Sequence, residues 1–119
     1  MKNKHTIENQ QQITFRPKTS TLNYFRSLSG EVQIPYLLLI NLALMDCATN
    51  NRISKEMING ISLRHSKCKK SHLTTRIEKR SINYFRQTSD KFGIPYQSLI
   101  NCYLDDCVER QRKIKFYWE

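Results

Sequence analysis

Two short stretches of this chain carry side chains whose types and spacing suit hydrogen-bond recognition. Gln12, Thr14 and Arg16 stand at alternate positions in one, and His72, Thr74 and Arg76 at alternate positions in the other. Alternation along an extended segment places each triplet on one face. An Arg guanidinium can take guanine O6 and N7 as a fork, a Gln amide can pair with adenine, and a Thr hydroxyl suits several base edges or the thymine methyl. Groups able to make or break bonds form no such pattern. Asp46, Asp105 and Asp106 fall late on helical stretches, the three histidines lie towards the tail and connector, and no glycine-rich phosphate loop is present. The expectation is a binding protein, no enzyme, with no cofactor. The run "HSKCKKSH" brings His65, Cys68 and His72 close together. A structural zinc site takes four ligands, and no second cysteine pair completes this one, so no metal is expected.

Charge says what such a surface would meet. Lys and Arg exceed Asp and Glu by 10 in 119 residues. A field of that sign attracts polyanions: nucleic acid first, an anionic membrane second, an acidic protein third. The polar start "MKNKHTIENQQQ" has no apolar segment of the secretory type. The longest apolar run, "IPYLLLINLALM", is broken by Asn41 and is too short to span a bilayer. The expectation is therefore a soluble, cytoplasmic protein without membrane contact, with Cys47, Cys68, Cys102 and Cys107 as reduced thiols.

The two triplets belong to a larger duplication. "NYFR" and "IPY" each occur twice at a spacing of 60, and residues 12–52 align with 72–112 without a gap. Matched pairs include Thr14 and Thr74, Arg16 and Arg76, Ser29 and Ser89, Leu39 and Leu99, Asn41 and Asn101, Asp46 and Asp106, and Cys47 and Cys107. Two copies are too few for a solenoid, but they suit a unit that works as a pair.

Each copy has three parts. Ile13 and Phe15, and in the second copy Leu73, Thr75 and Ile77, alternate with polar residues and predict a half-buried strand. Leu22, Phe25, Ser29 and Val32, matched by Ile82, Phe85, Ser89 and Phe92, have helical spacing. Gly93 suits the end of the second copy's helix. A second helix follows, with Pro35 or Pro95 expected at its first position. Its apolar stripe is Tyr36, Leu39, Ile40, Ala43, Leu44 and Cys47, or Tyr96, Leu99, Ile100, Tyr103, Leu104, Cys107 and Val108. A strand and two helices in about forty residues cannot bury their own apolar faces, and a lone strand has unpaired edges. Both problems vanish if the strands pair and the four helices share a core. The expected fold is mainly α with a short β-ribbon: a two-stranded antiparallel sheet plus a four-helix core. The expected organisation is a polar tail at 1–10, a first unit at 11–50, a basic linker at 51–70, a second unit at 71–113 and a tail at 114–119, the two units packing as one pseudo-dimeric domain.

Strand-helix-helix units that work only in pairs resemble the ribbon-helix-helix superfamily of Arc, MetJ and CopG repressors. "RSINYFRQTSDKFGIPYQSLINCYLDDCVERQRK" looks most like the DNA-binding region of CopG-type antitoxins of the BrnA group, over residues 71–113 and less closely over 11–52. Members usually carry one copy and form homodimers, so this chain would hold both halves in tandem. The resemblance implies that the ribbon enters the major groove of double-stranded DNA, with Gln12, Thr14, Arg16, His72, Thr74 and Arg76 reading bases. It also implies that the backbone at Tyr36 and Leu37, and at Tyr96 and Gln97, clamps phosphate at a positive helix start, where Gln97 could add its side chain. The implied function is that of a sequence-specific transcriptional repressor. The alternatives are an antitoxin that neutralises a toxin protein while regulating its own gene, with residues 1–10 and the tail "KIKFYWE" left to grip the toxin, or a plasmid or phage accessory protein that bends DNA. Self-association on DNA is a further expectation.

The copies depart from one another in ways that matter. Pro17 stands where the second has Ile77, which removes an apolar plug but favours an extended Arg16. Gln33 replaces the turn glycine, and His72 is not a Gln. An imperfect palindrome follows. Phe25 and Phe85 are expected in the core, with Tyr24, Tyr84, Arg26 and Arg86 at its margin. The connector at 51–70 holds six basic residues and one acid. Arg64, Lys67, Lys69 and Lys70 are expected on DNA phosphates as it enters the second strand.

Overall fold

Ile13 and Phe15 alternate with exposed Gln12 and Thr14, and Leu73, Thr75 and Ile77 alternate with exposed Thr74 and Arg76. Both stretches are strands in a computed structural model of the protein, which describes residues 9–60 and 69–110. The elements in order are β1 (Gln10–Phe15), α1 (Thr19–Val32), α2 (Tyr36–Asn50), a short α3 (Lys55–Asn59), β2 (Leu73–Glu78), α4 (Lys79–Phe92) and α5 (Tyr96–Glu109). The fold is mainly helical, and among the described residues its one sheet is the antiparallel pair β1–β2.

The pairing is centred on the repeat. Thr14 faces Thr74, its own counterpart, and each step away from that pair exchanges the strands: Ile13 faces Thr75, and Phe15 faces Leu73. The register runs on beyond the strands at both ends. The Lys79 N–H donates to the Asn9 carbonyl at 2.7 Å, the Ser71 N–H to the Pro17 carbonyl at 2.9 Å and the Thr19 N–H to the Lys69 carbonyl at 3.0 Å.

Underneath, the elements interlock. α2 packs on β2 and α4 as well as on α1, while α5 packs on β1 and α1 as well as on α4. One apolar cluster joins Phe15, Leu22, Phe25, Leu39 and Leu44 to Ile77, Ile82, Phe85, Leu99 and Leu104. Asn41 on α2 accepts from the Glu78 N–H at 3.2 Å, and Asn101 on α5 donates to the Arg16 carbonyl at 3.2 Å. The two asparagines of the repeat thus each tie a second helix to the opposite strand.

Four sequence expectations need correction. Pro35 and Pro95 are not the first helical residues; they sit one position earlier, in extended backbone with ψ of 138° and 139°. Their rings fix φ, and ψ is left to aim the chain into the helix. Pro17 removes no plug, for it is itself buried where Ile77 is buried, its ring filling the apolar position. Ser29 and Ser89 are only half-buried, and Leu28 and Thr88 take the buried positions. The Ser29 hydroxyl instead donates to the Ile34 carbonyl at 2.6 Å, a local bond at the turn. The first part of the connector is no simple linker. Ser54 caps α3 by accepting the Met57 N–H at 3.2 Å, Ile53 is buried, and Met57 and Ile58 lie against the core.

Both first helices end in left-handed backbone, Gln33 at φ 61° and Gly93 at φ 70°. Glycine tolerates that conformation and glutamine is strained in it. No single helix among the described residues is long and apolar enough to cross a membrane.

Candidate nucleic-acid interface

The outer face of the ribbon is built by its inner one. Ile13, Phe15, Leu73, Thr75 and Ile77 are buried against the helices, so their neighbours in sequence must point away. Gln12, Thr14, Arg16, Thr74 and Arg76 are exposed, and His72 is exposed too. Gln12 lies opposite Arg76, and the same register sets Arg16 opposite His72. At the centre the Thr14 and Thr74 hydroxyls hydrogen-bond at 2.8 Å. The backbone bonds at the ribbon ends all fall on odd-numbered residues. Alternation makes Thr14 and Thr74 a non-hydrogen-bonded pair, the kind whose side chains stand closest. The six side chains expected to read bases are therefore brought onto one surface.

The ends of this surface differ. Pro17 has no N–H to return to Ser71, so this end of the ladder has one bond fewer, and a Thr19–Ser71 hydroxyl pair at 2.8 Å helps hold it. Lys18 bridges across to Lys70, and Lys69 and Lys70 are exposed. At the other end Glu78 faces Gln10 and pairs with exposed Arg80 at 3.5 Å. Arg64 and Lys67 lie outside the described residues.

The starts of α2 and α5 are alike. The Leu39 and Leu99 N–H groups bond the carbonyls of Pro35 and Pro95 at 3.0 and 3.2 Å. The N–H groups of Tyr36, Leu37, Tyr96 and Gln97 come earlier and have no intrahelical acceptor at a helix start. No side chain caps either helix, and neither first turn holds an acid. Leu37 and Gln97 are half-buried. Sequence reasoning missed what stands beside these starts. The Arg26 guanidinium lies over the Tyr36 ring at 5.1 Å from its centroid, and Arg86 over Tyr96 at 5.3 Å. The cation–π contact holds a positive charge at each helix start. A signal was present in the sequence: Arg and Tyr stand ten residues apart in both copies.

Phe25 and Phe85 are buried, Tyr24 and Tyr84 half-buried, and Arg26 and Arg86 exposed. Tyr84 fastens the chain after α2, donating to Asn51 at 2.9 Å and accepting from the Ile53 N–H at 3.1 Å. Cys47, Cys102 and Cys107 are buried. Burial pushes the Cys47 thiol up to about 12, which keeps it protonated and unreactive at neutral pH. His65 and Cys68 lie outside the described residues, and among those described no group of three or more ligand-type side chains could hold a metal. Comparison of the chain with protein-family models, with curated proteins and with solved structures gave no match.

Proposed function

We propose that the chain is a tandem ribbon-helix-helix protein that binds double-stranded DNA sequence-specifically and acts as a transcriptional repressor. The observation that carries this reading is the exposed polar face of the β1–β2 ribbon, centred on the Thr14–Thr74 pair and backed by a buried apolar face. A two-stranded ribbon fits the major groove. Arg16 and Arg76 fork onto guanines, Gln12 takes adenine, and the threonines meet the central bases. The starts of α2 and α5, with Arg26 and Arg86, grip phosphates on either side and fix the register without reading sequence. Lys69 and Lys70 extend the phosphate grip beyond one ribbon end. Repression is occupancy: a protein seated in the groove of an operator excludes what would otherwise bind there.

The test is binding to a duplex selected from random sequence, comparing the native protein with the Arg16→Ala, Arg76→Ala double variant. Removing a bidentate Arg–guanine pair costs about 1–3 kcal/mol, so the expected weakening for the selected duplex is about 30-fold to 10⁴-fold when both pairs are removed. Non-specific binding should fall much less. Equal affinity of the two proteins for the selected duplex would refute base reading by the ribbon.

A further inference from the structure

Resting on the reading just given, we infer that the ribbon reads a DNA site with a direction, and that the contrast between Gln12 and His72 sets it. The local two-fold of the ribbon passes between Thr14 and Thr74. One arm presents Gln12 and Arg76, the other Arg16 and His72. The arginines are equivalent under that two-fold, and so are the threonines, but Gln12 and His72 are not. A Gln amide offers adenine a donor and an acceptor together, for N7 and N6. An imidazole holds its two nitrogens on different ring edges and cannot offer a donor and an acceptor side by side; a ring N–H suits guanine N7 or O6. The site is therefore a near-palindrome whose half-sites share the guanines met by Arg16 and Arg76. They differ at one position, adenine opposite Gln12 and guanine opposite His72. The flanks differ in the same sense, for Lys69 and Lys70 lie beyond the Arg16–His72 arm and Glu78 beyond the other.

A direction exists only if every ribbon contains one strand of each kind, and the core provides for that. Thr21 on α1 donates to Asp105 on α5 at 2.8 Å, and the Lys18 ammonium stands 3.7 Å from the same carboxylate. Asp105 is 8 % exposed and Thr21 2 %. The counterparts of Thr21, Asp105 and Lys18 in the repeat are Ser81, Met45 and Glu78. The Ser81 hydroxyl is buried without a hydrogen-bond partner. Two second halves paired together would bring Glu78 to Asp105 in each of two places, setting carboxylates against one another out of water. Two first halves would set Lys18 and Thr21 against Met45. Mixed pairing is the combination in which the carboxylate meets both its donor and its cation.

The experiment is selection from random duplex DNA at about 0.15 M salt, run with the full chain, with His72→Gln and with Gln12→His. Both positions lie on the outer face of the ribbon, so the variants should melt with the native protein. The native chain should enrich a motif that is asymmetric at one position per half-site. His72→Gln should enrich a symmetric motif with adenine at both, and Gln12→His one with guanine at both. A synthetic duplex with adenine at both positions should bind the native chain about 5- to 150-fold more weakly than its own site, one mismatch, and His72→Gln should restore binding. A symmetric motif from the native chain, or an asymmetry that neither substitution alters, overturns the direction and leaves ribbon reading standing. No enriched motif from any of the three proteins overturns both.

Discussion

Residues 12–40 and 72–100 have the same degree of burial position by position, save that Thr19 is half-buried and Lys79 exposed. Seen from solvent the two halves are nearly one unit drawn twice; seen from the core they are not. The first half puts buried Thr21 where the second has Ser81, and half-buried Met45 where the second has buried Asp105. It ends its first helix in a left-handed Gln33 where the second has Gly93. The geometry of the two halves matches and their chemistry differs. Once both halves sit in one chain, nothing requires a residue to suit two identical neighbours.

The largest test of the shared geometry is at its centre. Phe25 and Phe85 are equivalent and fully buried. Replacing either with Ala should cost about 3–5 kcal/mol, and chemical denaturation should show the two costs equal to within about 1 kcal/mol. Markedly unequal costs would mean the halves are not mechanically equivalent. The chemical divergence is tested next by a pair of conservative changes. Thr21→Val removes the donor to a buried carboxylate and should cost about 1–3 kcal/mol. Ser81→Ala removes a hydroxyl without a partner and should be neutral or slightly stabilising; a comparable cost at both sites would erase the proposed contrast.

The two ribbon ends offer a third comparison, read in salt rather than denaturant. Lys69→Gln with Lys70→Gln should lower the slope of log affinity for duplex DNA against log salt by up to about 2, since each phosphate that a lysine neutralises adds about 0.9 to that slope. Lys79→Gln with Arg80→Gln, at the end that holds Glu78, should lower it less. Equal changes would remove the electrostatic difference between the flanks. The smallest effect is at the helix ends. Gln33→Gly should stabilise the protein by about 1 kcal/mol through relief of left-handed strain, and Gly93→Gln should destabilise it by a similar amount. A neutral Gln33→Gly would show that the 2.9 Å bond from the Gln33 side chain to the Gly30 carbonyl offsets the strain.

Much of this is legible in the sequence because the two periodicities are clean. Alternation around Ile13, Phe15, Leu73 and Ile77 announces the strands and the face that lies outward. Helical spacing places Phe25, Phe85 and the stripe from Leu39 to Cys47. What the sequence hides has three physical sources. Period alone does not say where a helix starts, so the two second helices are expected to begin at Pro35 and Pro95, one residue too early. A proline ring reads as a break in a strand pattern although it is apolar, so the burial of Pro17 goes unseen. Packing between the copies leaves no local trace. The meeting of Thr21 and Lys18 with Asp105 joins residues more than eighty positions apart. The packing of Met57 and Ile58 on the core turns on the position of α5. Arg26 over Tyr36 is within reach, since the Arg–Tyr spacing recurs, but a recurrence by itself does not say that two residues touch.

The interlocking of second helices with opposite strands also has a history in time. β1, α1 and α2 cannot close their core until β2, α4 and α5 exist. At about 5–20 residues per second, synthesis of the following sixty residues takes about 3–12 s, far longer than a helix or hairpin needs to form. During that interval the nascent first half exposes Leu22, Phe25, Leu39, Ile40 and Leu44 to whatever is nearby. On a crowded polysome the second half of an adjacent chain is an equally good match, and the product would be a strand-exchanged dimer packed in the same way as the monomer. The length of the connector, which tethers the chain's own second half within reach, then governs how often newly made protein closes on itself.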